Sequence, residues 1–131
     1  MNKTIKLLKD KYVICKINGT FNPELINDLK DSFLSYTKTP EEISLVIPEG
    51  EVEKLNESFE ISKSWSGFYI DAKLDFNLLG VLYSISKILF ESEISIFVIS
   101  TFNTDYFFVQ EHDLEKALQK LEYNGWKINF N

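Results

Sequence analysis

Residues 75–110 read DFNLLGVLYSISKILFESEISIFVISTFNTDYFFVQ, and the apolar period changes twice along them. Leu78, Val81, Leu82, Ile85, Ile88 and Leu89 follow i, i+3, i+4, i+7, i+10 and i+11, which lays a single stripe along an amphipathic helix. EISIFVIS is then a nearly continuous apolar run of strand length, rich in β-branched residues, and it suits a central strand covered on both faces. DYFFVQ follows as another strand. Between them Ser100, Thr101, Asn103, Thr104 and Asp105 crowd a polar break where an ordinary hairpin would need only Asn-Gly or Asp-Gly.

Working outward, SGFYIDAKL (residues 66–74) carries aromatic and β-branched residues at its centre and reads as a strand before the helix. Downstream, Asp113 offers an N-cap to a second helix in which Leu114, Ala117, Leu118 and Leu121 repeat i, i+3, i+4, i+7, and Asn124-Gly125 supplies its stop. WKINF closes as a final strand. Strand, helix, strand, strand, helix, strand is the ferredoxin-like βαββαβ order of an α+β fold. A right-handed crossover makes the strands on either side of the first helix parallel. The loop opening that helix (Asp75 to Gly80) and the polar break (Ser100 to Asp105) are therefore expected to meet at one sheet edge.

The first half is less regular. TIKLLKD, YVICKI, FLSYTKT and EISLVIPEG read as strands, and Asn22-Pro23 followed by ELINDL reads as a short helix with Pro near its first position. No exact repeat links the halves. Two small antiparallel sheets with helices on one side would still form a pseudo-symmetric pair, 1–60 and 61–131, with a soft boundary at the charge-dense EVEKLNESFE.

Composition narrows the function. With 131 residues, 44% hydrophobic and eleven Phe, the chain is globular and long enough for one domain or two small halves sharing a core. Twenty acidic residues against fourteen basic ones give a net charge of -6, the wrong sign for nucleic acid or an anionic membrane surface. That sign also sets aside an RNA-binding reading of Tyr106, Phe107 and Phe108. Every basic residue is Lys, so an anion must be held by Lys, backbone N–H groups or hydroxyls rather than by a guanidinium fork. The single Cys15 lies in an alternating apolar run and reads as a buried small residue. The start, MNKTIKLLKDKY, has no apolar signal region, and the expected compartment is the cytoplasm.

Few residues offer chemistry. One His and one Cys rule out zinc-type ligand spacing, and no phosphate-loop, dinucleotide-binding or HExxH motif occurs, so no metal or cofactor is expected. His112 beside Asp113 reads as a solvated loop residue, and Glu41, Glu42, Asp71 and Asp75 have no evident carboxylate partner, so an enzyme is not expected. The sheet edge is the better candidate. A helix opening there presents unpaired N–H groups and partial positive charge to a carboxylate. Gly80 either leaves room for a ligand to approach the backbone or packs against a neighbouring strand. Opposite it, Asp105 with Ser100, Thr101 and Thr104 either completes a site for a zwitterionic α-amino acid or simply builds a turn.

LDFNLLGVLYSISKILFESEISIFVISTFNTDYFFVQEHDLEKAL resembles the ACT-domain proteins related to the arginine-sensing CASTOR family. The resemblance lies in an Asp-led loop, Gly-Val-Leu opening the helix, ISTF followed by Asp105, and a Leu-x-x-Ala-Leu helix. It runs from about Trp65 to the end and extends less distinctly into LLKDKYVICKI and EEISLVIPE. It implies a tandem pair of ACT-like modules that senses a free amino acid or similar small zwitterion without catalysis. The implied site spans Asp75, Leu79, Gly80, Val81, Ser100, Thr101, Phe102, Thr104 and Asp105. Gly80 and Val81 would offer backbone groups to the ligand carboxylate, Asp105 would take its cation, and Thr101 and Phe102 would shape the wall. Such sheets commonly join edge to edge, so a homodimer through sheet edges or helices is also expected. The alternative function is an oligomerisation or protein-interaction module that binds no ligand.

Overall fold

The computed structural model describes residues 3–26, 32–55, 59–71 and 80–130. Seven strands occur among them: β1 (Thr4–Ile17), β2 (Ser35–Lys38), β3 (Ile43–Pro48), β4 (Phe59–Ile70), β5 (Ile96–Ser100), β6 (Asp105–Gln110) and β7 (Lys127–Asn129). Two α-helices, α1 (Val81–Glu91) and α2 (Leu114–Tyr123), are joined by 3₁₀ turns at Pro23–Ile26, Glu49–Lys54 and Glu111–Asp113. The chain divides into two compact units, one of Met1–Lys9 with Ser66–Asn131 and one of Asp10–Trp65. Both β1 and β4 therefore run through each of them. The units part at Trp65–Ser66 and at Lys9–Asp10, not within EVEKLNESFE, which holds part of a 3₁₀ turn and the start of β4.

In the unit that contains residues 66–131, the sheet order is β7, β1, β4, β6, β5. The β5–β6 hairpin is antiparallel, with Ser100 opposite Asp105 and Ile96 opposite Val109. The segment Thr4–Lys6 of β1 pairs in parallel with Lys127–Asn129 and takes the Asp71 N–H on the Thr4 carbonyl (2.9 Å). A simple βαββαβ sheet would place β7 directly beside β4; here the N-terminal strand stands between them. Val81, Ile85 and Leu89 of α1 and Ala117, Leu118 and Leu121 of α2 bury their stripes with Ile5, Phe68, Ile70, Phe107 and Val109 of the sheet. Phe68 and Phe107 stack within that core, ring centroids 5.5 Å apart.

In the unit Asp10–Trp65, the order is β2, β3, β1, β4, with β2–β3 and β3–β1 antiparallel. Its core is smaller: Val13, Cys15, Ile17, Leu45, Ile47 and Leu55, flanked by Phe21, Leu34, Val52 and Phe59. Among the described residues, element order is again strand, turn, strand, strand, turn, strand, with 3₁₀ turns in the connections where the other unit has helices.

Several expectations change. TIKLLKD and YVICKI, expected as separate strands on either side of Lys11, are one continuous strand, β1. The helix expected after Asn22-Pro23 is a 3₁₀ turn over its described part, with the Asn22 side chain accepting the Glu24 N–H (3.0 Å). α1 starts at Val81, so Gly80 is its N-cap and not a first-turn residue, Leu78 lies outside the described residues, and Leu82 is exposed rather than part of the buried stripe. β5 is an edge strand, not a central one; it is apolar on both faces because Ile96 and Val98 join the helix-side core while Phe97 meets Phe108 edge-on at 6.5 Å on the other. Asp113 occupies the N-cap position of α2 but makes no side-chain cap bond, and its carboxylate lies 3.5 Å from His112 Nε2. Asn124 and Gly125 do end α2; Gly125 has φ +93°, the left-handed conformation glycine permits.

Candidate functional site

The polar break is a tight hairpin loop whose side chains hold one another. Thr101 donates its backbone N–H to the Thr104 carbonyl (2.8 Å), its hydroxyl donates to the same carbonyl (3.1 Å), and that hydroxyl accepts the Thr104 N–H (3.3 Å). Ser100 Oγ donates to Asp105 Oδ1 at 2.6 Å, a short charge-assisted bond across the ends of β5 and β6. Thr104 points the other way: it is 9% exposed, and its hydroxyl donates to the Ile70 carbonyl (3.0 Å) at the end of β4. The turn thus meets the end of β4 through a buried hydrogen bond between residues 34 apart in sequence; of the loop expected to meet it, Asp75 to Gly80, residues 75–79 lie outside the described residues.

The helix side of the edge is set by Gly80. Its φ of +88° lies in the left-handed region, and no heavy atom of a described residue lies within 4 Å of where a Cβ would sit. Backbone conformation is thus what calls for glycine here, and packing against a neighbouring strand does not. Gly80 contributes no side-chain cap and the first turn of α1 holds no acidic residue. The Gly80 carbonyl accepts the Ser84 N–H at 2.7 Å. Val81 turns its side chain into the core.

Ser100, Thr101, Thr104 and Asp105 are therefore brought together, with the Ile70 carbonyl as their anchor. Phe102 projects outward from the same loop, 76% exposed. Asp75 and Leu79 lie outside the described residues, and no contact among the described residues ties Gly80 and Val81 to the loop. Sequence reasoning passed over Tyr69 and weighed Tyr106 only with Phe107 and Phe108 for RNA binding; the two tyrosine rings lie 5.1 Å apart beside Ile70 and Asp105 in the chain. Period-2 alternation in GFYI and DYFF was the available signal, since it puts both rings on one sheet face. Burial pushes the Tyr106 phenol above its usual range, and Tyr69 adds to the shift. His, Cys, Asp and Glu form no group able to hold a metal ion among the described residues, and no helix there is long and apolar enough to cross a membrane.

With this geometry in place, comparison with known proteins becomes informative. Residues 60–123 match the ACT domain. No curated protein matches the chain. A solved protein from Agobacterium tumefaciens is 26% identical, over 100% of this chain and 95% of its own, with a TM-score of 0.85. The ligand-free regulatory subunit of aspartate kinase from Thermus thermophilus shares the fold at 10% identity, covering 92% of this chain and 97% of that one, TM-score 0.67. Aspartate kinase from Clostridium acetobutylicum, an allosteric enzyme, does so at 19% identity over 94% of this chain and 34% of its own length, TM-score 0.61. The ACT match spans β4, α1, β5, β6 and α2, which are the elements that carry the loop and the open helix end.

Proposed function

We propose that this chain is a non-catalytic, cytoplasmic regulatory protein that binds a free α-amino acid at the end of β4. In this reading the ligand carboxylate lies on the N–H groups that open α1 at Gly80 and Val81, with Asp75 and Leu79 in the loop before it. The ammonium group lies on Asp105, and Ser100, Thr101, Phe102 and Thr104 form the wall. The observation that carries the reading is the opening of α1: a left-handed glycine supplies no side-chain cap and the first turn has no acid, an arrangement suited to an outside anion. The ACT match over 60–123 and the regulatory-subunit fold support it. The 1–60 segment is read as an N-terminal ACT-like half.

The test is a thermal-shift panel of free amino acids against wild type and Asp105→Ala. A ligand at 100 times its Kd adds about 2.7 kcal/mol to stability, so one or two amino acids should raise the midpoint and the variant should lose the response. A second reading rests on the turn itself, in which the three hydroxyls of Ser100, Thr101 and Thr104 all donate within the chain. It makes the protein an interaction module with no ligand, and it expects a flat panel.

A further inference from the structure

The dipeptide Asn-Gly occurs twice in the chain, at Asn18–Gly19 and at Asn124–Gly125. The two copies are alike in most respects. Each follows the end of a regular element, β1 or α2, all four residues are exposed, and both glycines have left-handed φ, +96° and +93°. An Asn side chain followed by glycine stands next to a backbone nitrogen that no Cβ shields, so that nitrogen can reach the side-chain amide. What the fold does with the nitrogen differs between the copies.

At Asn124 both reacting groups are held. The Gly125 N–H donates to the Glu122 carbonyl (3.0 Å), and the Asn124 side-chain Nδ2 donates to the Lys120 carbonyl (2.8 Å). These bonds satisfy carbonyls that the end of α2 would otherwise leave open, so breaking them also frays the helix. At Gly19 the backbone N–H makes no hydrogen bond among the described residues, and no heavy atom of a described residue lies within 4 Å of where a Cβ would sit. The β1–β3 ladder has already ended at Ile17, opposite Ile43.

We infer that Asn18 is a site of spontaneous covalent modification, deamidation through a cyclic imide, and that the same dipeptide at Asn124 is protected by its hydrogen bonds. The Gly19 backbone nitrogen gives its proton to hydroxide and attacks Asn18 Cγ. The new N–Cγ bond closes a succinimide ring, the Cγ–Nδ2 bond breaks, and Nδ2 takes a proton from water and leaves as ammonia. Water then adds to one of the two imide carbonyls and opens the ring. Opening at Cγ gives aspartate, and opening at the main-chain carbonyl gives isoaspartate, whose backbone runs through Cγ. The sum is one amide and one water converted to one carboxylic acid and one ammonia, with no change of oxidation state. Either product puts a new negative charge just after the last paired residue of β1, and isoaspartate also lengthens the backbone there by one carbon. The unit Asp10–Trp65 thus carries a chemical mark that accumulates with the age of the protein. The inference does not depend on a ligand.

Peptide mapping by mass spectrometry tests it, on the full chain held in mildly alkaline buffer, both folded and in denaturant, with aspartate and isoaspartate separated by chromatography. In the folded chain Asn18 should convert at least about tenfold faster than Asn124, as expected where two hydrogen bonds must first break. In denaturant the two rates should converge, because the dipeptide is the same. Gly19→Ala should slow conversion of Asn18 in both conditions, since a Cβ hinders the attacking nitrogen. Conversion of Asn18 no faster than that of Asn124 in the folded chain overturns the inference. So does a difference that persists undiminished in denaturant, or a Gly19→Ala chain that converts at the wild-type rate when unfolded.

Discussion

Between residues 66 and 131 the two connections between sheet strands are helices of 11 and 10 residues, whereas between 10 and 65 the described connections hold 3₁₀ turns of four and six. Apart from the segment of β1 that stands between β7 and β4, the strand order is shared, so the main difference lies in the connections. LEKALQKL and VLYSISKIL repeat apolar residues at helical spacing; PELI and EGEVEK do not, and Pro23, Pro48 and Gly50 interrupt them. The helical unit buries long stripes under Phe68 and Phe107, and the other fills its smaller core with single residues such as Phe21, Val52 and Leu55. Among the described residues, only the helical unit has an extended run of aligned peptide dipoles at its strand ends, which is why the ligand site is proposed there.

The largest effect that bears on this contrast is core truncation. Phe68→Ala should cost about 3–5 kcal/mol, and Leu45→Ala in the other unit about 2–5 kcal/mol. Trp126 is buried in the first unit and Trp65 in the second, so single-tryptophan proteins report each separately. Denaturation followed by both signals should show the Trp126 transition moving most with Phe68→Ala; coincident shifts in every variant would make the units one cooperative body.

Next in size is a pH effect confined to the smaller unit. Burial pushes the Cys15 thiol from 9.0 up to about 11, so the folded state holds a proton that the unfolded state releases first. The sign follows: stability is full below pH 9 and falls as pH rises toward 11, by at most about 1.4 kcal/mol per unit. Denaturant titrations across that window should show the decline in wild type and a shallower one in Cys15→Ala.

Smaller again is Thr104→Val, which removes the hydroxyl from the Ile70 carbonyl and should cost about 1–3 kcal/mol, read from the Trp126 transition. Last comes Gly80→Ala. Space is open around it, so the cost is conformational, about 1–2 kcal/mol, and Gly80→Asn should cost less because Asn tolerates the left-handed region better. Equal losses for Ala and Asn would argue that something besides φ constrains the position.

What could be read in advance followed local pattern. The stripes of α1 and α2 announce themselves because one face is buried and the period is 3.6, and the hairpin shows as two apolar runs around turn residues. Crossover handedness brings the ends of β4 and β5 to one sheet edge, but the hydrogen bond from Thr104 to Ile70 there had no signal in the sequence. Long-range pairing was not legible: nothing in TIKLLKD says it will stand between β4 and β7. β5 misled because apolar residues on both faces look the same in a central strand and in an edge strand with aromatic neighbours on its far side. In the site, the residue types and their clustering were visible, but their division between internal hydrogen bonds and open groups depends on rotamers, which composition does not encode.

The two long strands have a genetic consequence. Because β1 and β4 each belong partly to one unit and partly to the other, no single junction in the coding sequence separates the two. A cassette starting at codon 61 would encode β7 but not the Thr4–Lys6 segment it pairs with, and one ending at codon 60 would lack most of β4. One crossover therefore cannot exchange a unit, whereas two, one within β1 and one within β4, would exchange Asp10–Trp65 as a single segment.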